Sequence, residues 1–345
     1  MNPVSAQRNE DASLTVTLLD QSQGLFRPIS AEEIKELGHI GILMGGYSSE
    51  REISLKSGRS IYDTLKDAGC RLSLLDIVFQ EEEKISSLIR DANIDVAFIA
   101  LHGRLGEDGT IQNILEGLQI PYAGSGVEAS KLAINKIKTQ SVLRKKGVPV
   151  AEHVALTEDQ PINPDEVIRR LGLPVVVKPA CEGSSIGVKI VKEKENLEVA
   201  IDDAFRYGKE VLIERFIPGR EVTVGILDRF ALPVIEILPQ GQFFDFTSKY
   251  QKGMTNYVVP AQFPLDLMER IQHIAMTAHE ALGCRHFSRV DLIVDGQGII
   301  YVLELNTIPG FTSMSLLPKA ALAVGIDFMQ LCLKLIFLAN EKKDK

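Results

Sequence analysis

The run RVDLIVDGQGIIYVLELNTIPGFTSMSL, residues 289–316, restricts the fold more than any other part of the chain. Two apolar segments flank Asp295, Gly296 and Gly298, which are turn residues, so the pair reads as an antiparallel hairpin. Residues two apart on a strand share a face, which puts Glu304 beside Asn306, and pairing of the strands brings Asp291 to the same place. Three hard oxygen donors together suit Mg2+, which takes one or two carboxylates and leaves other positions to phosphate and water. Spacing alone leaves a second reading open, an ordinary hairpin with two solvated acids. After the second strand, Thr307, Pro309 and Gly310 form a turn of small residues, followed by Ser313 and Ser315. Such a loop offers backbone N–H groups to an anion lying next to a metal.

A hairpin of this kind needs a domain around it, and 345 residues supply two or three. The chain is 45% hydrophobic and 24% charged, an ordinary globular profile. Its formal net charge of -8 speaks against nucleic acid as a partner, since binding to a phosphate backbone requires a basic surface. Cys70, Cys181, Cys284 and Cys332 stand far apart with no CxxC spacing, which fits a reduced cytoplasmic setting better than a disulfide framework or a zinc site. No apolar run approaches the ~20 residues that span a bilayer, so no membrane role is expected. The N-terminus also lacks a basic start followed by an apolar run, so no secretory signal is expected.

Residues 1–38 read as an extension, with an apolar patch, LTVTLLD, and a short helix after Ser30. HIGILMGG, residues 39–46, is the first clear strand, and the helical pattern after Glu50 carries Ile53, Ile61 and Leu65 before Gly69 stops it. CRLSLLDI and IDVAFIALHG follow as strands separated by a polar helix. Strands alternating with helices predict an open parallel sheet, whose ligands gather at the carboxyl ends of the strands. Glu50 and His102 both stand at such ends, although Glu50 and Glu52 also suit a plain helix N-terminus. One Lys-rich helix is expected over 127–146; most of its lysines are expected to be solvated, with one able to reach a phosphate.

In LPVVVKPACEGSSIGVKIV, Lys178 lies inside an apolar strand that breaks into Glu182, Gly183, Ser184, Ser185 and Gly187 before the next strand. Such a hairpin tip reads either as a plain flexible turn or as a loop whose backbone amides wrap an anion. A buried lysine is costly without a partner, and a nucleotide phosphate would serve. EVLIERFIPGREVTVGIL then sets Glu214 and Glu221 around Phe216 and Ile217, an apolar surface for a purine with carboxylates for ribose hydroxyls. Residues 242–260, with Lys249 and Tyr250, are polar and contain glycine, as a mobile lid would. FMQLCLKLIFLAN closes the chain as a helix too short for a membrane span and interrupted by Lys334.

Together GGYSSEREISL, ALHGRLGEDGTIQ, LPVVVKPACEGSSIGV, VLIERFIPGREVTV, SKYQKGMTNYVVPA, RVDLIV and LELNTIPGFTSMSL resemble the D-alanine-D-alanine ligases of the ATP-grasp superfamily, in family order from about Ile40 to the C-terminus. The resemblance implies an α/β chain, α+β in its C-terminal half: an N-terminal open parallel sheet domain followed by an ATP-grasp pair. The expected division is 1–38 extension, 39–124 α/β substrate domain, 125–214 central domain and 215–345 C-terminal domain with the metal site. It also implies that ATP phosphorylates the carboxylate of one D-alanine and that the amine of a second attacks the acylphosphate. By resemblance, Asp291, Glu304 and Asn306 hold two Mg2+ ions, or Mn2+, and Lys136, Lys178 and Lys249 hold the ATP phosphates. Glu214, Phe216, Ile217 and Glu221 match the adenine and ribose contacts. Arg289 and the Gly310 backbone match oxyanion donors. Glu50 matches the acid on the first substrate's ammonium with His102 beside it, and Ser315 with the Leu316 backbone matches the anchor of the second carboxylate. Ser184 and Tyr250 match partners of Glu50 that tie loop and lid together, and tyrosine at 250 accompanies dipeptide rather than ester formation. A homodimer is expected.

Tyr47, Arg215, Phe244 and Phe246 depart from the commonest family pattern, and none removes a chemical group from this mechanism. Two other classes remain at this stage. A ligase for other amino acids would change Glu50, Ser315 and Tyr250, and a non-catalytic nucleotide-binding protein would lose Arg289 or a metal ligand.

Overall fold

In the computed structural model, the residues described are 28–159, 162–239 and 255–341. They form three sheets that follow one another along the chain. The first contains β1 (His39–Gly45), β2 (Arg71–Ile77), β3 (Val96–Ile99) and β4 (Tyr122–Ala123), in the order β2-β1-β3-β4 with every pair parallel. Both faces of this sheet are covered, as parallel sheets require, so β1 is an unbroken apolar run rather than an alternating one. Ile40, Ile42 and Met44 pack on one side with Ile61 and Leu65 of the helix Arg51–Asp67. Leu43 packs on the other with Ile85 and Ile89 of the helix Glu82–Asp91.

The second sheet holds β5 (His153–Thr157), β6 (Val175–Pro179), β7 (Lys189–Val191) and β8 (Glu210–Arg215), in the antiparallel order β5-β8-β6-β7. Helices Pro164–Leu171 and Leu197–Phe205 share a core with it. The third holds β9 (Gly219–Leu227), β10 (Phe230–Ala231), β11 (Ile235–Pro239), β12 (Thr255–Val258), β13 (Phe287–Asp295) and β14 (Ile300–Asn306). Its order is β12-β11-β9-β13-β14, antiparallel, with β10 on β9. The architecture is therefore mixed α/β, parallel in the N-terminal region and antiparallel beyond, as expected from the strand pattern and the resemblance.

The single helix expected over 127–146 is two, Val127–Ile134 and Lys136–Lys145. Asn135 adopts an extended conformation and its side chain accepts from the Lys138 N–H, capping the second helix. The break places Lys136 in a first helical turn with its N–H on the Ala180 carbonyl, 2.9 Å away, rather than on an outer face.

Two packing relations cross the order of the chain. Leu331, Leu335 and Ile336 of the last helix, Phe328–Asn340, enter the core of the first sheet. The segment before β1 lies on the same helix: the helix Ala31–Glu36 carries a capping box between Ser30 and Glu33, Leu37 is buried, and Asn340 Nδ2 donates to the Leu37 carbonyl.

Candidate active site

The β13–β14 hairpin sets Asp291 opposite Glu304 and Arg289 opposite Asn306. Between Asp291 and Leu292 the register shifts, so Leu303 has no opposite residue. This bulge changes the phase of β14. Ile300, Val302 and Leu305 enter the core, while Leu303, Glu304 and Asn306 face two cavities.

The first cavity, about 410 Å³, is walled by the second and third sheets. Lys136, Lys178, Glu214, Phe216, Ile217 and Glu221 line it, as do Asp291 and Glu304. Lys178, expected from its apolar strand to need a partner, has one in the protein: its Nζ lies 2.5 Å from Glu214 Oε2, and Gln140 Nε2 donates to the other Glu214 oxygen. Both members of this ion pair are buried. Lys136 Nζ donates to the Glu182 carbonyl at 2.6 Å and lies 3.4 Å from Glu304 Oε2.

The second cavity, about 440 Å³, is lined by Glu50, His102 and Ser184 from one side and by Arg289, Glu304, Asn306, Gly310, Ser315 and Leu316 from the other. Glu304 is in the wall of both cavities. Glu50 occupies the N-cap of Arg51–Asp67 but spends no side-chain hydrogen bond on the helix; its carboxylate accepts from Ser184 Oγ instead. Close approach there requires glycine on both sides. A Cβ at Gly183 would stand 2.9 Å from Glu50 Oε2, and one at Gly103 would stand 2.8 Å from it.

His102 Nδ1 faces the Ile308 carbonyl at 3.0 Å, which fixes the tautomer with hydrogen on Nδ1 and leaves Nε2 to accept from Ser57 Oγ at 3.1 Å. Burial lowers the pKa of His102 against the opposing charge of Glu50, so the ring is neutral. The turn after β14 is anchored through Phe311, whose ring meets Phe98, Phe287 and Phe328 at 5.3, 5.8 and 5.6 Å. That anchor carries Gly310 and Ser315 to the cavity. Ser315 Oγ accepts from the Thr312 N–H at 3.0 Å, and Leu316 opens the helix Leu316–Leu322, where N–H groups lack intrahelical partners.

Asp291 accepts four hydrogen bonds. Arg289 donates to both its oxygens, at 2.8 and 2.7 Å, Thr223 Oγ1 donates at 2.6 Å and Asn306 Nδ2 at 3.1 Å. Among the described residues no three His, Cys, Asp or Glu side chains group as a closed metal cage. Two carboxylates and an amide in register form an open set, the donor chemistry that suits Mg2+ or Mn2+ and reserves positions for phosphate and water. Asp291, Glu304 and Asn306 would hold such a cation only if the Asp291 oxygens were released from Arg289 and the Asn306 amide were turned to present Oδ1.

Glu107 belongs with these residues although no role was read for it in the sequence. It lines the second cavity, and burial, reinforced by the charges of Glu50 and Glu304, pushes its pKa well above the usual carboxylate range. The signal that marks it is the run GEDG, two acids between glycines after a strand end. Ser57, on the face of Arg51–Asp67 that meets His102, carried no such signal. Lys249 and Tyr250, the departures Phe244 and Phe246, and most of the expected lid lie outside the described residues.

Residues 76–125 match the family described as D-ala D-ala ligase N-terminus and residues 142–337 that described as D-ala D-ala ligase C-terminus. The D-alanine--D-alanine ligase of Desulforudis audaxviator is 46% identical over 88% of this chain and 99% of its own length. That of Trichlorobacter lovleyi is 44% identical over 87% and 94%. Among solved structures, the Bacillus anthracis D-alanine--D-alanine ligase complexed with ATP superposes with a TM-score of 0.79 at 35% identity, covering 89% of this chain and 100% of that one. A second structure from the same organism gives 0.80 at 38%, over 89% and 99%. Matches of this extent, to both halves of one family in their proper order and to whole relatives, place the chain in the D-alanine-D-alanine ligase family.

Proposed function

We propose that this protein is an ATP-dependent carboxylate–amine ligase that joins two molecules of D-alanine for peptidoglycan precursor synthesis, releasing ADP and phosphate. The observation that carries this reading is the position of Glu304 in the wall between two cavities of similar size. A nucleotide in the first and a carboxylate substrate in the second bring the γ-phosphate and its acceptor to one place, the arrangement that in-line phosphoryl transfer needs. The ATP-complexed relative supports the choice of nucleotide.

In this reading Glu214, Phe216, Ile217 and Glu221 hold adenine and ribose, while Lys136 and Lys178, with Lys249, hold the phosphates. Asp291, Glu304 and Asn306 would hold two Mg2+ or Mn2+ ions, which neutralise phosphate charge when bound. Glu50 receives the ammonium of the first D-alanine, beside the neutral His102. The carboxylate oxygen of that D-alanine attacks the γ-phosphorus and ADP leaves; the amine of the second D-alanine then attacks the acylphosphate carbon, losing a proton as phosphate departs. Arg289 and the Gly310 N–H stabilise the tetrahedral oxyanion. Ser315 and the Leu316 N–H hold the second carboxylate. Ser184 joins Glu50 to the Gly/Ser loop, and Tyr250 extends that link to the lid and favours dipeptide over ester.

We also propose a homodimer acting in the cytoplasm, and the division 39–124, 125–214 and 215–345 as its units. No helix among the described residues is long and apolar enough to cross a membrane. The test of function is phosphate release with D-alanine against L-alanine, with the product identified by mass spectrometry. D-alanine-dependent release and a dipeptide mass are expected; release that ignores D-alanine would overturn the reading.

A further inference from the structure

The Gly/Ser loop between β6 and β7 is a wall of both cavities: Glu182, Ser185 and Ile186 line the first, Gly183 and Ser184 the second. Its backbone is demanding, because Ser184 and Ser185 both have positive φ, 50° and 58°, which residues other than glycine keep only when their surroundings impose it. Three side chains from outside its sheet do so. Glu50 accepts from Ser184 Oγ, Lys136 Nζ donates to the Glu182 carbonyl, and Arg104 Nη2 lies 3.5 Å from Glu182 Oε1. The first two already serve the substrate and phosphate sites. Arg104 has no such duty. It follows β3 in the layer of the first sheet, and its side chain is 62% exposed where that of Glu182 is 17% exposed. Burial pushes the Glu182 carboxyl up, and among the groups that oppose this Arg104 comes first.

We propose that Arg104 is a positioning residue: its ion pair with Glu182 ties the substrate layer to the Gly/Ser loop and holds that loop closed against the phosphate side of the first cavity. The inference rests on the ligase reading in taking that cavity as the ATP site. One loop, gripped at Glu182 both by the substrate layer and by a phosphate lysine, couples closure over ATP to the layer that receives D-alanine.

Cys181, exposed and next to Glu182, reports on the loop, and Cys332, buried in the core, reports on the whole fold. Site-resolved alkylation with iodoacetamide, read by mass spectrometry, is combined with steady-state kinetics on the full chain. Arg104→Ala is expected to speed alkylation of Cys181 and raise KM for ATP, each about two- to fivefold, the range of a partly exposed ion pair, with Cys332 unchanged. Arg104→Lys restores most of both effects, Glu182→Gln reproduces them, the double variant adds little to either, and high salt removes the difference from the parent. Parent-like Cys181 reactivity and KM in Arg104→Ala would overturn the proposal, as would additive effects of the two substitutions or a parallel rise at Cys332. Failure of the ligase reading shows separately, as a parent chain without D-alanine-dependent ADP release.

Discussion

Asp291, Glu304 and Asn306 were legible as neighbours because a strand repeats every two residues and a short turn pairs its two strands; the partners that hold them were not. Arg289, placed by resemblance at an oxyanion, is bonded to Asp291, and Lys178 has its partner in Glu214. The second pairing joins residues far apart in the chain, which no local pattern encodes; the first joins neighbours on one face of β13, where spacing shows that they meet but not that they pair. Glu304→Gln keeps the shape of the side chain and removes its charge. It is expected to lower turnover by at least about 100-fold at ordinary Mg2+, with the unfolding midpoint close to the parent; parallel rate and denaturation measurements check both halves. A second outcome at this scale concerns His279, buried against Ser288 Oγ at 2.7 Å. Burial lowers its pKa to about 4. The unfolded chain takes up a proton near pH 6.5 and the folded chain does not. Its contribution to stability is therefore complete above pH 6.5 and is lost toward pH 4, at about 1.4 kcal/mol per pH unit. Urea unfolding of the parent and His279→Gln between pH 7 and 5 should show a steeper acid loss in the parent.

Elements follow local signals more faithfully than side chains do. The apolar runs gave β1 and the hairpin, Gly69 ended the helix that Glu50 begins, and the short helix after Ser30 is present as read, its capping box with Glu33 being an addition from the structure. Two features escaped for physical reasons. The bulge at Leu303 carries no glycine to announce it, yet strict alternation would put Val302 and Glu304 on one face, burying the acid or exposing the valine. The break at Asn135 was hidden by the lysines around it, although asparagine is a favoured N-cap. Helix placement matters because Arg51–Asp67 carries Glu50 on its first turn and meets β1 through Gly58, where a Cβ would stand 2.6 Å from Met44 Cβ. Gly58→Val should push that helix outward. The expected result is a loss of about 1–3 kcal/mol in stability by chemical denaturation, with a rise in KM for D-alanine larger than any change in KM for ATP.

At the scale of the molecule, the order of the sheets was readable and their cores were not. Helices Val127–Ile134 and Lys136–Lys145 contribute Ala133 and Leu143 to the core of the third sheet, and the last helix returns to cover the first. Burial of this kind is decided by which apolar faces meet, something one sequence leaves open. The consequence is functional: Phe311 joins the turn that carries Gly310 and Ser315 to Phe98 of the first sheet and Phe328 of the last helix, so the second cavity is built from both ends of the chain. In the proposed reaction a carboxylate in that cavity takes a phosphoryl group from ATP in the other, across Glu304. This transfer is tested most directly with D-alanine carrying 18O in its carboxylate, by measuring the isotope content of the phosphate released during turnover. Attack by the carboxylate on phosphorus predicts one 18O transferred into each phosphate; phosphate that stays unlabelled while dipeptide accumulates would contradict it.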